Sequence, residues 1–132
     1  MSSGNPVLDQ EIITGLELRL WNLDRRQFTA VSFERHSSGD VKITVGGAVY
    51  SSSITDRTSL TPPGEAPEYG VTALAGSYRD ASTAGSILIV VNCGQEPPVL
   101  QLSARPVSGA VRASTFEITH SIQSQILDLF GD

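Results

Sequence analysis

The chain has 132 residues, of which 39% are hydrophobic, 17% are charged and 6% are aromatic. This length fits one ordinary domain, and the composition is too apolar and too weakly charged for an intrinsically disordered chain. The formal net charge of −5 argues against a nucleic-acid-binding protein, because such proteins gain most of their affinity from Lys and Arg on phosphates. An anionic membrane surface is disfavoured for the same reason.

Cys93 is the only cysteine, so the chain forms neither an internal disulfide nor a cysteine-based zinc cluster. This is typical of a reducing compartment, and the first residues lack the basic and apolar regions of a secretory signal. No apolar run approaches the roughly 20 residues that a membrane-spanning helix needs. We therefore expect a protein of the cytoplasm, or of an assembled particle.

Residues 1–14 are predicted to form an N-terminal arm or a short helix. Asn5 and Pro6 have the form of a helix N-cap followed by proline at the first helical position. An extended arm fits the same residues, so both alternatives stay open. One β-rich domain is predicted to follow over residues 15–132.

Alternating apolar residues predict strands along most of this domain. Two glycines, Gly46 and Gly47, interrupt the third strand, and we interpret them as a bulge or a tight bend. The segment Ile87–Val91 is apolar throughout, which is typical of a strand buried on both faces, so we expect another element to cover it. The predicted strands lie near residues 16–20, 28–35, 41–50, 69–78, 86–93 and 99–105.

Residues 51–68 are predicted to be a loop rich in serine and proline. Prolines fix the backbone and donate no hydrogen bond, so the three in this segment exclude a helix or a central strand there. Loops of this length are usually functional, and the prolines favour a stiff, extended chain that partners can contact.

The chain is predicted to end in an amphipathic helix over residues 114–130. Ser114 and Glu117 match a capping box, and isoleucines follow at a spacing of four. The same segment also alternates with period two, so a strand as far as about His120 is an open alternative. The predicted fold is mainly β (α+β), with about six antiparallel strands in a sandwich or barrel-like sheet and this helix packed on it.

Catalytic chemistry has one candidate group. Cys93 would need His36 or His120 as a base, and no local motif joins these residues. The two histidines lack the spacing of a metal-binding pair, so no metal and no cofactor are predicted. A small cysteine-dependent hydrolase is therefore kept as the second alternative function.

Aromatic and proline residues give a candidate binding surface. Flat aromatic faces stack on sugar rings, and they also fill cores and subunit contacts. The first prediction is a non-enzymatic structural subunit that contacts copies of itself and other assembly proteins, such as a phage or virus particle component. A carbohydrate- or small-ligand-binding β module is the alternative. The candidate surface comprises Trp21, Tyr50, Pro62, Pro63, Pro67 and Tyr69.

Overall fold

The computed structural model describes residues 12–61, 64, 70–79 and 83–130. Over these residues the chain forms eight strands followed by one helix. The helix, α1, spans His120–Phe130 and is neither long nor apolar enough to cross a membrane. The strands are β1 (Ile12–Asn22), β2 (Gln27–His36), β3 (Val41–Val45), β4 (Ala48–Leu60), β5 (Val71–Arg79), β6 (Ala84–Asn92), β7 (Val99–Pro106) and β8 (Arg112–Glu117).

The strands close into an antiparallel barrel. Each strand pairs with the one that follows it along the chain, and β8 returns to pair with β1. The prediction of a mainly β fold with a C-terminal helix is confirmed, and the sheet is a barrel of eight strands instead of about six. Residues 1–11 of the predicted arm lie outside the described residues, and its last part belongs to β1, which begins at Ile12.

Strand β6 shows how the barrel sorts its side chains. Ile87, Ile89 and Val91 are buried in the interior, whereas Leu88 is 42% exposed on the outer wall. The prediction that both faces of this segment are buried is therefore wrong. A strand of a closed barrel turns every second side chain outward, and here the outer positions happen to be apolar as well.

Two segments differ from the prediction: the predicted strand at residues 41–50 is two strands, and the first part of the predicted loop is strand. Gly46 and Gly47 have φ angles of 56° and 104°, which is the two-residue hairpin turn that joins β3 to β4. The tight-bend alternative is therefore the one that the structure supports, as a turn between two strands, and the bulge alternative is wrong. Strand β4 then continues to Leu60, so the first part of the predicted 51–68 loop is strand. In its first half Tyr50 and Ser52 are buried, whereas Val49, Ser51 and Ser53 are exposed, so the strand keeps the alternation of a barrel wall.

The helix begins at His120 and not at residue 114. Ser114 and Glu117 lie in β8, where the ladder to β7 already gives their backbone groups partners. The residue that caps the helix is Thr119, whose Oγ1 accepts the N–H of Ile122 at 3.1 Å. The capping-box prediction is therefore wrong, and the period-two alternative describes this segment.

Helix α1 covers the end of the barrel at which β2 finishes. Ile126 and Leu129 are buried in the same core as the barrel interior, which contributes about 1.5–3 kcal/mol for each side chain. The ring of Phe130 meets that of Phe33 edge to face, with centroids 5.7 Å apart. Arg35 Nη1 donates to the carbonyl oxygen of Leu129 at 3.2 Å, so a cation satisfies a carbonyl at the helix C-terminus.

Candidate functional site

Aromatic side chains meet on the outer wall, where β1 and β2 pair. Trp21 lies opposite Phe28, and their rings contact edge to face with centroids 5.1 Å apart. The guanidinium carbon of Arg19 lies 5.9 Å from the centre of the Phe28 ring. Phe28 is 56% exposed and Leu23 is 38% exposed. We call Arg19, Trp21, Leu23 and Phe28 the aromatic patch.

Charges of both signs border the aromatic patch. Glu17 and Arg19 precede Trp21 at every second position of β1, so the three side chains share the outer face. Glu117 on β8 lies directly opposite Trp21 on the other side. Glu17, Arg19 and Glu117 are all exposed. The patch therefore has an apolar centre with acidic and basic groups next to it.

The turn after Trp21 is held by Asn22, which is 2% exposed. Its Oδ1 accepts the backbone N–H groups of Asp24 and Arg25 at 2.9 and 3.0 Å. Arg26 completes the turn with a φ of 55°, and its N–H donates to the Asn22 carbonyl at 2.8 Å. Asparagine is favoured at such a position because its short side chain bonds backbone groups two and three residues ahead.

The same turn helps to close the barrel. Within the described chain, β1 and β8 share two residue pairs, one of which joins Trp21 to Glu117. Beyond them the Leu23 N–H donates to the Thr115 carbonyl at 2.8 Å, and the Thr115 N–H donates to Asp24 Oδ2 at 3.0 Å. The aromatic patch therefore lies across the seam of the barrel, on a backbone that is fixed from both sides.

Side chains fill the barrel interior. The rings of Tyr50 and Tyr78 pack edge to face with centroids 5.1 Å apart, and both residues are buried. The apolar cavity that remains near Ile43, Ile87 and Leu102 measures about 30 Å³. Such a space holds roughly one water molecule, so this part of the interior has no room for a ligand.

A basin of about 540 Å³ opens above this interior, at the barrel mouth that the β1–β2 and β3–β4 turns and the start of β8 form. Among its described lining residues there are two arginines and no carboxylate. The hydroxyl oxygen of Thr29 is buried there and lacks a hydrogen-bond partner among the described residues. Its polar lining comes from Asn22, Arg25, Gln27, Thr29, Arg112 and Ser114.

The structure separates the residues of the candidate surface that the sequence suggested. Trp21 lies on the outer wall and is half-buried, whereas Tyr50 is buried inside the barrel and lines the floor of the mouth basin. These two aromatic side chains are therefore not brought together. The other four, Pro62, Pro63, Pro67 and Tyr69, lie outside the described residues.

Cys93 is 3% exposed, and burial raises the pKa of its thiol above the ordinary value of 9.0. A nucleophilic cysteine needs the opposite shift, because the thiolate is the reactive form. Each candidate base faces a carboxylate, with His36 Nε2 at 3.7 Å from Glu34 and His120 Nε2 at 3.7 Å from Glu96. Across the residues that the structure describes, no group of three His, Cys, Asp or Glu side chains is placed to hold a metal ion.

Sequence reasoning missed Phe28 and Arg112. The signal for Phe28 was present, because Thr29, Val31 and Phe33 share one face of β2 and place Phe28 on the other. A hairpin at the polar turn then puts Phe28 beside Trp21. Arg112 had no comparable signal, since its place at the mouth depends on how all eight strands close.

Comparisons with protein-family models, with curated proteins and with solved structures found no match to this chain. What the protein does is therefore inferred from its own surfaces. Two of them are built from several elements at once: the aromatic patch on the outer wall and the basin at the barrel mouth.

Proposed function

We propose that this protein is a non-enzymatic structural subunit that associates with a second copy of itself through the aromatic patch. The observation that carries this proposal is the edge-to-face pair of Trp21 and Phe28 on the outer wall, with Phe28 56% exposed. Scattered apolar side chains are ordinary on protein surfaces. An edge-to-face aromatic pair beside an arginine has instead the composition of an interface centre.

The charges at the patch favour a second copy as the occupant. A two-fold contact brings the same patch against itself, so each charge must be able to meet one of opposite sign. Arg19 has Glu17 on its own strand and Glu117 across the seam, so both signs lie beside one apolar centre. Because the whole chain carries a net charge of −5, copies repel at long range, and association has to come from a local, specific contact.

The closed barrel supports contacts of this kind. The sheet closes on itself where β1 and β8 pair, at Trp21 with Glu117 and at Asn22 with Phe116. At the aromatic patch both sides of β1 therefore have partners, and this part of the wall offers side chains instead of a strand edge to another copy. The setting we propose is an assembly of repeated copies, in the cytoplasm or within a phage or virus particle, with other assembly proteins as further partners.

Sedimentation velocity over a wide range of protein concentration tests the proposal. We expect the wild-type chain to form a dimer or a larger symmetric species. We expect Phe28→Glu to weaken this association by at least ~30-fold, since loss of a central interface residue costs about 2–4 kcal/mol. Leu60→Glu is the matched control. Leu60 is 67% exposed on β4, so this substitution adds the same charge at an exposed apolar position outside the aromatic patch.

Two outcomes would contradict the proposal: a wild-type chain that stays monomeric at every concentration, or Phe28→Glu that associates as well as wild type. Thermal unfolding of both variants confirms that they are folded, which we expect since both side chains are mostly in solvent. The emission of Trp21, the single tryptophan, gives an independent readout. It should shift to shorter wavelength with concentration in the wild-type chain and not in Phe28→Glu.

A further inference from the structure

We propose that the outer wall of β5 and β6 forms a second contact between copies of this chain, on the side of the barrel opposite the aromatic patch. The strands follow one another around the closed sheet, so β5 and β6 lie half-way round it from β1 and β2. Where they pair, Ala73, Ala75, Leu88 and Val90 form an apolar area that we call the β5–β6 wall. This contact goes beyond the proposed function, because it uses a different face of the barrel.

The β5–β6 wall is apolar at positions where a barrel surface in water is usually polar. Side chains alternate between the interior and the outer wall, and Ile89 between Leu88 and Val90 is fully buried. Leu88 is 42% exposed, and Ala73, Ala75 and Val90 are half-buried. An antiparallel sheet with one face in water has polar residues on that face. A contiguous apolar area there is typical of a surface that another protein covers.

The sizes of these four side chains are self-complementary. The small ones lie on β5 and the large ones on β6, with Ala75 opposite Leu88 and Ala73 opposite Val90. A two-fold axis that runs between the two strands, parallel to them, places β5 of one copy over β6 of the other. Each Leu88 then stands over Ala75 of the other copy, and each Val90 over Ala73. Large side chains that face small ones interdigitate, as a closely packed contact requires.

The same axis brings opposite charges together at the borders of the contact. Asp56 on β4 lies opposite Ala75, and Arg105 on β7 lies opposite Ser86, one outer position along β6 from Leu88. Both charged side chains are exposed, and neither has an ion pair within the part of the chain that the structure describes. The rotation exchanges β4 with β7, so Asp56 of each copy comes beside Arg105 of the other. This complementarity favours a second copy as the occupant.

Sedimentation velocity of four chains separates the two contacts: wild type, Phe28→Glu, Leu88→Glu and the double variant. We expect wild type to form species larger than a dimer, each single variant to stop at a dimer, and the double variant to be monomeric. In the Phe28→Glu background, Leu88→Glu should weaken the remaining association at least ~30-fold, as loss of a central interface residue does. Val49→Glu is the matched control, because Val49 is 38% exposed on β4 outside both surfaces.

Three further variants in the Phe28→Glu background distinguish a specific fit from general stickiness. Ala75→Leu adds apolar surface but fills the space that Leu88 of the other copy occupies, so it should weaken association at least ~5-fold. The charge reversals Asp56→Arg and Arg105→Asp should each weaken association as well. A chain that carries both reversals should regain most of it, because the ion pairs form again with their signs exchanged.

The inference is overturned if the Phe28→Glu chain is monomeric at every concentration, or if Leu88→Glu associates as well as Val49→Glu. It is also overturned if Ala75→Leu does not weaken association, or if the two charge reversals together restore nothing. Failure of the proposed function looks different, since Leu88→Glu alone would then give a monomer and Phe28→Glu would leave the wild-type species unchanged. Thermal unfolding checks that each variant is folded, which we expect because all these positions lie on the outer wall.

Discussion

Gly76 on β5 lies where β4 carries an irregularity, and alanine at this position gives a sharp test of the barrel geometry. Gly76 pairs with Ile54, and the register shifts between Ile54 and Asp56. A Cβ atom at Gly76 would lie 1.9 Å from the carbonyl oxygen of Ser53 and 2.8 Å from the Cα of Ile54. Real Cβ contacts essentially never fall below 3.0 Å, so the backbones of β4 and β5 would have to move apart by about 1 Å.

The size of the effect follows from what that movement disturbs. Overpacking against a backbone that cannot rotate away costs about 1–3 kcal/mol. Each hydrogen bond of the β4–β5 ladder that breaks adds about 0.5–1.5 kcal/mol. We therefore expect Gly76→Ala to lower the free energy of unfolding by about 3 kcal/mol or more. For a chain of this size the midpoint temperature should fall by roughly 10 °C.

Thermal unfolding followed by far-ultraviolet circular dichroism and by Trp21 fluorescence measures this loss. Gly15→Ala is the matched control, because Gly15 lies in β1 and a Cβ atom there meets nothing within 4 Å. Alanine is favoured over glycine inside a strand by about 0.5–1 kcal/mol, so this control should be as stable as wild type or slightly more so. A Gly76→Ala midpoint close to that of wild type would refute the reasoning, since it would mean that the irregular part of β4 yields freely.

Three further effects follow from single contacts. Thr119→Ala should lower the free energy of unfolding, measured by urea denaturation, by about 1 kcal/mol, because α1 loses its N-cap. Thr119→Ser keeps a hydroxyl at this position, so an equal loss in that variant would argue against capping. Asp24→Ala should cost about 1 kcal/mol by removing the acceptor of the Thr115 N–H at the seam, whereas Asp24→Asn should retain part of it. Burial raises the pKa of Cys93 in the folded chain, so the thiol ionises at a lower pH in the unfolded chain than in the folded chain. The contribution of this thiol to the free energy of unfolding should therefore be fully present below pH 9.0 and should decline as the pH rises above it. Cys93→Ala should decline less steeply when unfolding is compared across that range, and identical slopes would contradict this reasoning.

The sequence alone predicts those parts of the fold in which a local period decides the structure. Leu20 and Val31 follow period-two patterns, and both are buried in the barrel as that pattern requires. The exposure of one face of Ile87–Val91 could not be predicted in this way, because an apolar run indicates that one face of a strand is buried and leaves the other face undetermined. Only the closure of the sheet reveals that Leu88 lies on the outer wall.

The β8–α1 junction could not be predicted for a related reason. The residues from Ser114 to Glu117 fit a capping box and a strand equally well, and the neighbouring residues exclude neither structure. Strand pairing decides between them, because β7 and β1 offer hydrogen-bond partners that lie far away in the sequence. The N-cap of the helix then moves to Thr119, which has an equally suitable side chain.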